Sequence, residues 1–154
     1  MSLLLAVRVR GQVNRSEEAR RTLELLRLRR PYWATLLRST PAIMGMLRKV
    51  QHYVMWEEAD EEMLTLLLAK RAELRGGKRL TDDVIRQWGY EDIRGLAKAL
   101  LEGKVDLRQL DSLKPFFRLH PPIGGFRRPV KRLYEEGGIA GRNPQLKKLL
   151  AKMV

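Results

Sequence analysis

The side chains with the most chemistry to offer are arginines, and the densest group is Arg127, Arg128, Lys131 and Arg132, shortly after Gly124-Gly125. A planar guanidinium donates along fixed directions that match two oxygens of a phosphate, and paired glycines let backbone approach such a group closely. Four other groups share this chemistry. Arg8 and Arg10 stand at the end of an apolar run, where the bland alternative is a solvated strand edge. Arg27, Arg29 and Arg30 precede Pro31 at a helix C-terminus. The helix dipole favours cations there by about 0.3–1 kcal/mol, and three exceed that need. Arg38, Arg48 and Lys49 flank a second helix, whose bland reading is a solvated face. Phe116, Phe117, Arg118 and His120 mix rings and cations in an irregular stretch. That mixture suits an unpaired base; the alternative is that at least one phenylalanine anchors the loop in the core.

Catalysis finds no comparable support. His52 and His120 are far apart and neither belongs to a ligand-spaced pair. Asp82 and Asp83 follow Thr81 as helix-capping charge. Glu57, Glu58, Asp60, Glu61 and Glu62 read as a solvated helix start, with a divalent-ion site as the minor alternative. Gly76-Gly77-Lys78 lacks the earlier glycine and the following Ser or Thr of a phosphate-binding loop. No enzyme, cofactor, metal ligand or catalytic residue is expected.

The balance of charge supports the arginines. In 154 residues, 31 Lys and Arg face 18 Asp and Glu, for a net charge of +13. That excess opposes compaction, so a polyanionic partner is implied, either nucleic acid or an anionic membrane surface. Residues 1–58 hold 11 basic and 5 acidic side chains, residues 59–104 hold 9 of each, and residues 105–154 hold 11 basic and 4 acidic. The two ends therefore carry the whole excess. Cysteine is absent, which excludes disulfides and Cys-based zinc sites. Leu3 to Val7 is too short for a signal-peptide core, and no stretch approaches the roughly 18 apolar residues of a membrane span. A cytoplasmic protein is expected, and the arginine-rich, cysteine-free composition leans towards a thermophile.

The elements that must position these cations can be read in order. Leu3, Leu5, Val7 and Val9 alternate as a strand that Gly11 closes. Asn14 or Ser16 caps a helix through Ala19, Leu23 and Leu26, ending near Arg27 or Leu28. Tyr32 to Arg38 is a second strand. Thr40-Pro41 starts a helix with the stripe Ile43, Leu47 and Val50, and His52 to Trp56 is a third strand. The order β-α-β-α-β over residues 1–58 predicts a two-layer α/β (α+β) domain with a three-stranded sheet. Both helices should cover one face and leave the other open to a partner. Residues 59–154 should be a mostly helical extension with a basic C-terminal segment. Its helices are capped by Asp60 (to about Leu74), Thr81 and Asp92, and the last begins at Asn143-Pro144. Residues 114–125 should be extended or looped.

Several segments resemble one family of the large ribosomal subunit, called L-thirty in bacteria and archaea and L-seven in eukaryotes. These are VRVRG (Val7–Gly11), TLELLRLRR (Thr22–Arg30), TPAIMGMLRKV (Thr40–Val50) and MLRKVQHYVMW (Met46–Trp56). LTDD (Leu80–Asp83), LKPFFRL (Leu113–Leu119), PPIGGF (Pro121–Phe126) and EEGGIAGRN (Glu135–Asn143, which carries Arg142) are similar to the longer archaeal-type form. One departure is Glu57-Glu58-Ala59 after Trp56, where longer forms often have Gly-Tyr-Pro. The resemblance implies a ferredoxin-like fold and a structural role in translation. It also implies contacts to large-subunit ribosomal RNA and neighbouring ribosomal proteins, proximity to 5S RNA, and one copy per ribosome. On that basis the groups above, together with Arg142, become RNA-binding candidates. Two rivals stay in view: an assembly factor that binds precursor ribosomal RNA, and a membrane-surface adaptor using the terminal helix with Lys147, Lys148 and Lys152.

Overall fold

A computed structural model of the chain describes residues 2–11 and 17–154. The proposed caps Asn14 and Ser16 lie outside these residues. The first part of the chain runs β1 (Leu3–Arg8), α1 (Glu17–Leu25), β2 (Trp33–Arg38), α2 (Pro41–Lys49) and β3 (Val54–Glu58). After it come α3 (Glu61–Lys70), α4 (Asp82–Gln87), α5 (Ile93–Leu101), β4 (Phe117–Arg118), β5 (Gly141–Arg142) and α6 (Leu146–Met153). The β-α-β-α-β order over the first 58 residues is as expected.

The sheet differs from the expectation. It has five strands in the order β4-β2-β1-β3-β5, not three. β1 pairs antiparallel with both β2 and β3, β4 pairs antiparallel with β2, and β5 pairs parallel with β3. The two outer strands have two residues each, too few to carry an alternation that could be read. They occupy both edges of the three-stranded core, where bare N–H and C=O groups would otherwise template pairing with another chain.

The open face is also a correction. Leu4 and Ala6 pack with Leu23, Leu47 and Val50 beneath α1 and α2. Leu3, Leu5 and Val7 pack on the opposite side with Leu64, Leu67, Leu96 and Leu150 from α3, α5 and α6. Helices thus cover both faces, giving three layers. β1 is the central strand and all six of its residues are buried, and apolar residues at both parities require cover on both sides.

Local chemistry explains the helix ends. Thr40 Oγ1 accepts from the Ile43 amide at 3.2 Å, with Pro41 in the first turn. Asp60 and Asp92 accept from Met63 and Gly95, each at 2.8 Å. Thr81 makes no such side-chain bond. α1 stops at Leu25, before the expected end, because Arg27 takes φ 64° and the Leu28 amide donates back to Leu23 O at 2.8 Å. This left-handed closure buries Leu28 against the core. α3 stops at Lys70 rather than near Leu74, since Leu74 bridges Leu113 and its amide donates to Lys78 O at 2.7 Å. β3 begins two residues late because the Tyr53 amide closes a turn onto Val50 O at 2.9 Å.

Arg8 is a further correction. It is fully buried and cannot reach an external phosphate. Its Nη1 donates to Leu28 O at 2.9 Å and Arg29 O at 2.7 Å, and its Nε donates to Arg10 O at 2.8 Å. The guanidinium ties the end of β1 to the segment that returns from α1 to β2.

Ion pairs fasten the later elements. Lys147 on α6 lies 2.9 Å from both Asp60 and Glu62. Burial opposes ionisation of Asp60, but the Met63 amide and the Lys147 ammonium outweigh it and lower its pKa. Glu73 is paired with Arg118 and, at 3.3 Å, with Lys114. Burial again works against the carboxylate, and the two cations overcome it, holding Glu73 below its ordinary value of 4.5.

Two measurements check these contacts. Replacing Arg8 with Met strands carbonyls that each cost about 1–3 kcal/mol when left unsatisfied in a buried site. The urea midpoint of Arg8→Met should therefore fall by the equivalent of roughly 3 kcal/mol, and an unchanged midpoint would contradict the tie. Because Glu73 has a lowered folded pKa, its pairs add stability above the unfolded value and lose it as pH falls through the folded one. Glu73→Gln should be less stable than the parent at pH 6, with the gap closing at lower pH. A gap independent of pH would exclude the ionic contribution.

Candidate nucleic-acid interface

Strand register sorts the charges to opposite ends of the sheet. At one end Arg8 faces Val54, Val7 faces Ala34, and Trp33 faces Arg118. At the other end Leu3 faces Arg38, and Leu4 faces Glu58. Glu57, Glu58, Asp60, Glu61 and Glu62 follow one another at that second end. Arg10, Arg29, Arg30 and Arg118 gather at the first, beside the loop that carries Arg127, Arg128, Lys131 and Arg132. That loop is docked by the Phe126 ring, which stacks on Tyr32 at 6.4 Å.

The loop itself is well braced. Ile139 N–H donates to Pro129 O at 3.2 Å, Ala140 N–H to Arg132 O at 3.0 Å, and Tyr134 N–H to Ala140 O at 2.8 Å. Gly138 makes this fold feasible, because a Cβ there would sit 2.0 Å from Arg132 O. Arg128 serves as an internal strut, donating to Gly137 O at 2.9 Å and Tyr134 O at 3.2 Å, with its guanidinium 4.5 Å from the Tyr134 ring centre. Arg127, Lys131 and Arg132 are exposed, and no ion pair to an acidic group is present for them among the described residues. Arg30 is in the same position.

The remaining candidates divide. Arg10 lies 5.3 Å from the Tyr53 ring centre and is half-buried. Arg29 is exposed, with its carbonyl held by Arg8. Arg48 and Lys49 are exposed in the last turn of α2, and Lys49 lies 3.0 Å from Glu18. Arg118 is half-exposed and paired with Glu73. His120 is held by its amide to Met153 O at 3.1 Å, and its Nδ1 lies 2.7 Å from Pro121 O. Arg142 is exposed on β5 opposite Trp56, midway between the two ends of the sheet, 3.5 Å from Glu57, and lines a cavity with Arg48 and Tyr134.

Two more candidates are corrected. Phe117 is fully buried, because β4 turns it into the core opposite Ala34. Phe116 stacks on Trp33 at 4.2 Å with the rings 2° from parallel. Arg38 donates to Leu100 O at 2.6 Å and lies 3.6 Å from Asp106, so it fastens β2 to the end of α5. Arg27 lines an open cavity with Arg38, Asp106 and Arg108. Arg108 belongs to no basic cluster along the chain, and the cavity brings it beside Arg27 and Arg38. Among the described residues no group of three His, Cys, Asp or Glu side chains could hold a metal ion, and no helix is long and apolar enough to cross a membrane.

Comparison with known proteins places the chain in a family. The family model described as "Ribosomal protein L30p/L7e" matches residues 4–54, the stretch that supplies β1, β2 and both helices of the first layer. Full-length relatives extend the match. The "Large ribosomal subunit protein uL30" of Nitrosopumilus maritimus (strain SCM1) is 42% identical, covering 98% of this chain and 97% of that protein. Its counterpart in Korarchaeum cryptofilum (strain OPF8) is 43% identical over 99% of this chain and 95% of that protein. The one in Thermofilum pendens is 40% identical over the whole of both. The likeness thus includes the later helices and the arginine loop as well as the first sheet, and on it the chain belongs to the uL30 family of large ribosomal subunit proteins.

Proposed function

We propose that this protein is a structural constituent of the large ribosomal subunit, with no catalytic role, and that it grips ribosomal RNA at the arginine end of its sheet. The observation that carries the reading is the convergence of Arg10, Arg29, Arg30, Arg127, Lys131 and Arg132 at one end of the sheet, while the acidic run Glu57 to Glu62 lies at the other. Ribosomal RNA exposes phosphates at fixed spacings, and a protein that reads such a surface does so through positioned cations rather than base edges. Arg48, Lys49, Arg118, Arg128 and His120 border this surface in the proposal. Arg142 is its weakest member, and Arg38, engaged with Leu100 O and Asp106, lies outside it.

In this reading residues 1–58 supply the first part of the RNA-binding surface, and the helical extension, residues 59–154, completes it with the arginine loop of its basic C-terminal segment. Neighbouring ribosomal proteins meet the charge-balanced helices, one copy sits in each cytoplasmic ribosome, and 5S RNA is a second RNA within reach. An assembly factor would leave the mature particle, so retention in salt-washed large subunits separates the two roles.

Binding to deproteinised large-subunit ribosomal RNA should weaken with salt, with a log–log slope of about −0.7 to −0.9 for each phosphate neutralised. Replacing Arg127 and Arg132 together with Ala should make that slope shallower by roughly 1.5. Arg38→Ala should leave it unchanged. A flat salt dependence for the parent protein would refute the mechanism.

A further inference from the structure

Beside the arginine loop stands a side chain that phosphate binding does not explain. Ile123 is 72% exposed, and it is held in place rather than loose. The Gly125 amide donates to Pro122 O at 3.0 Å, with Gly124 at φ 83°, so residues 122–125 form a tight turn with Ile123 at its first corner. Four features anchor the turn. The Ile123 amide donates to Lys152 O at 3.1 Å at the end of α6, and two residues before the turn the His120 amide donates to Met153 O. Pro122 is buried, and Phe126 stacks on Tyr32. A flexible loop could fold an isoleucine back onto the protein; this one is fixed with the side chain pointing outwards.

The surroundings indicate what covers it. Arg127 Nη2 lies 3.8 Å from the position a Cβ would take on Gly124, so a cation flanks the turn directly. Lys152 belongs to the segment that anchors it, and Lys131 and Arg132 follow in the same loop. No acidic residue lies between His120 and Leu133. An apolar side chain surrounded in this way is poorly suited to an arginine-rich protein neighbour. It is well suited to a nucleic acid, whose bases are apolar on their faces while their phosphates meet the cations.

We propose that Ile123 is an apolar wedge that packs against the face of an unstacked base in ribosomal RNA, at a bulge or loop, while Arg127 holds an adjacent phosphate. The inference rests on the RNA-binding reading above and adds to it a requirement for unpaired RNA. Base faces accept apolar side chains wherever stacking is interrupted, and wedges of this kind recur among proteins that hold bent or splayed nucleic acid.

The test measures binding of the full chain to two probes, deproteinised large-subunit ribosomal RNA and a perfectly paired RNA duplex, across a salt series. Ile123 is exposed, so Ile123→Ala should keep the parent's thermal midpoint. On ribosomal RNA, Ile123→Ala should bind about tenfold more weakly with an unchanged salt slope, since the lost contact is apolar. Ile123→Met should restore most of that loss. On the duplex, parent and variant should bind alike. Equal binding of parent and Ile123→Ala to ribosomal RNA overturns the wedge and leaves the RNA reading standing. So does a shallower slope for the variant, which would mean a lost cation contact, or an equal loss on the duplex. Normal binding to naked RNA with poor incorporation into subunits would assign Ile123 to a protein neighbour and overturn the wedge as well. If the parent itself shows no salt-dependent binding, both readings fall together.

Discussion

A single buried guanidinium sets the geometry of the arginine end. Arg8 leaves β1 pointing into the protein and donates to the carbonyls of Arg10, Leu28 and Arg29. Hydrogen bonds from a charged donor contribute about 1.5–3 kcal/mol each, set against the cost of removing the charge from water. What the arrangement secures is position. β1 and β2 are antiparallel neighbours, yet a helix lies between them in sequence, so the chain needs a return segment to bring it back to the start of β2. That segment contains Arg29 and Arg30 and makes no ladder of its own. Arg8 holds it, and the Tyr32 amide donating to Arg8 O at 2.6 Å completes the join. Two candidate phosphate ligands, Arg10 and Arg29, therefore have their backbone fixed by a third arginine that never meets solvent.

The rest of the fold leaves that end uncovered. Residues 59–104 carry equal numbers of acids and bases, and their helices cover the sheet face opposite α1 and α2. The acids that lie near the far end of β3 are engaged locally: Glu57 with Arg142, and Asp60 and Glu62 with Lys147. Local pairing there neutralises that acidic run, while at the arginine end Arg30, Arg127, Lys131 and Arg132 stay exposed without an acidic partner among the described residues. The short strands β4 and β5 close the sheet edges, and each also delivers basic chain to the surface, Arg118 from one and the loop before Gly141 from the other. Edge protection and charge placement are thus accomplished by the same residues.

Much of this was legible in the sequence, for reasons that differ by element. Thr40-Pro41, Asp60 and Asp92 were readable as helix starts because capping is local chemistry, decided within four residues. The β-α-β-α-β order was readable because each element is long enough to show a period. The two-residue strands β4 and β5 have no period at all, and their pairing depends on residues far away in the chain. The covered second face was readable in principle, since Leu4 and Ala6 are as apolar as Leu3 and Leu5, but an alternating description of β1 emphasised one parity. Among site residues, sequence indicates where cations are dense, and the loop at 127–132 was found that way. It does not indicate direction. Arg8 and Arg10 look alike two positions apart, yet adjacent side chains of the same parity diverge once one is needed to satisfy carbonyls. Phe117 and Phe116 could be told apart only after β4 had fixed which ring faces Ala34. Ile123 was hidden in a Pro-Gly loop, where an isolated apolar residue carries no pattern.

Backbone conformation indicates that direction, beyond charge, is what the arginine end requires. Four non-glycine residues take positive φ among those described: Arg27 at 64°, Tyr32 at 68°, Ser112 at 65° and Arg127 at 62°. The left-handed region costs an ordinary residue roughly 1–2 kcal/mol, and glycine would avoid that cost. A surface needing only positive potential gains nothing from such strain, because a lysine on a relaxed loop supplies the same charge. Three of the four belong to the return segment or the arginine loop. Tyr32 stacks on Phe126, Arg127 follows directly from it, and Arg27 terminates α1 so that Leu28 and Arg29 present their carbonyls to Arg8. The strain is concentrated where two chain segments must meet at a set angle, and the packing around Leu28 and Tyr32 supplies the energy to hold it. Arginines whose backbone is fixed in this way suit a rigid array of phosphates, such as folded ribosomal RNA presents, better than a fluid anionic surface.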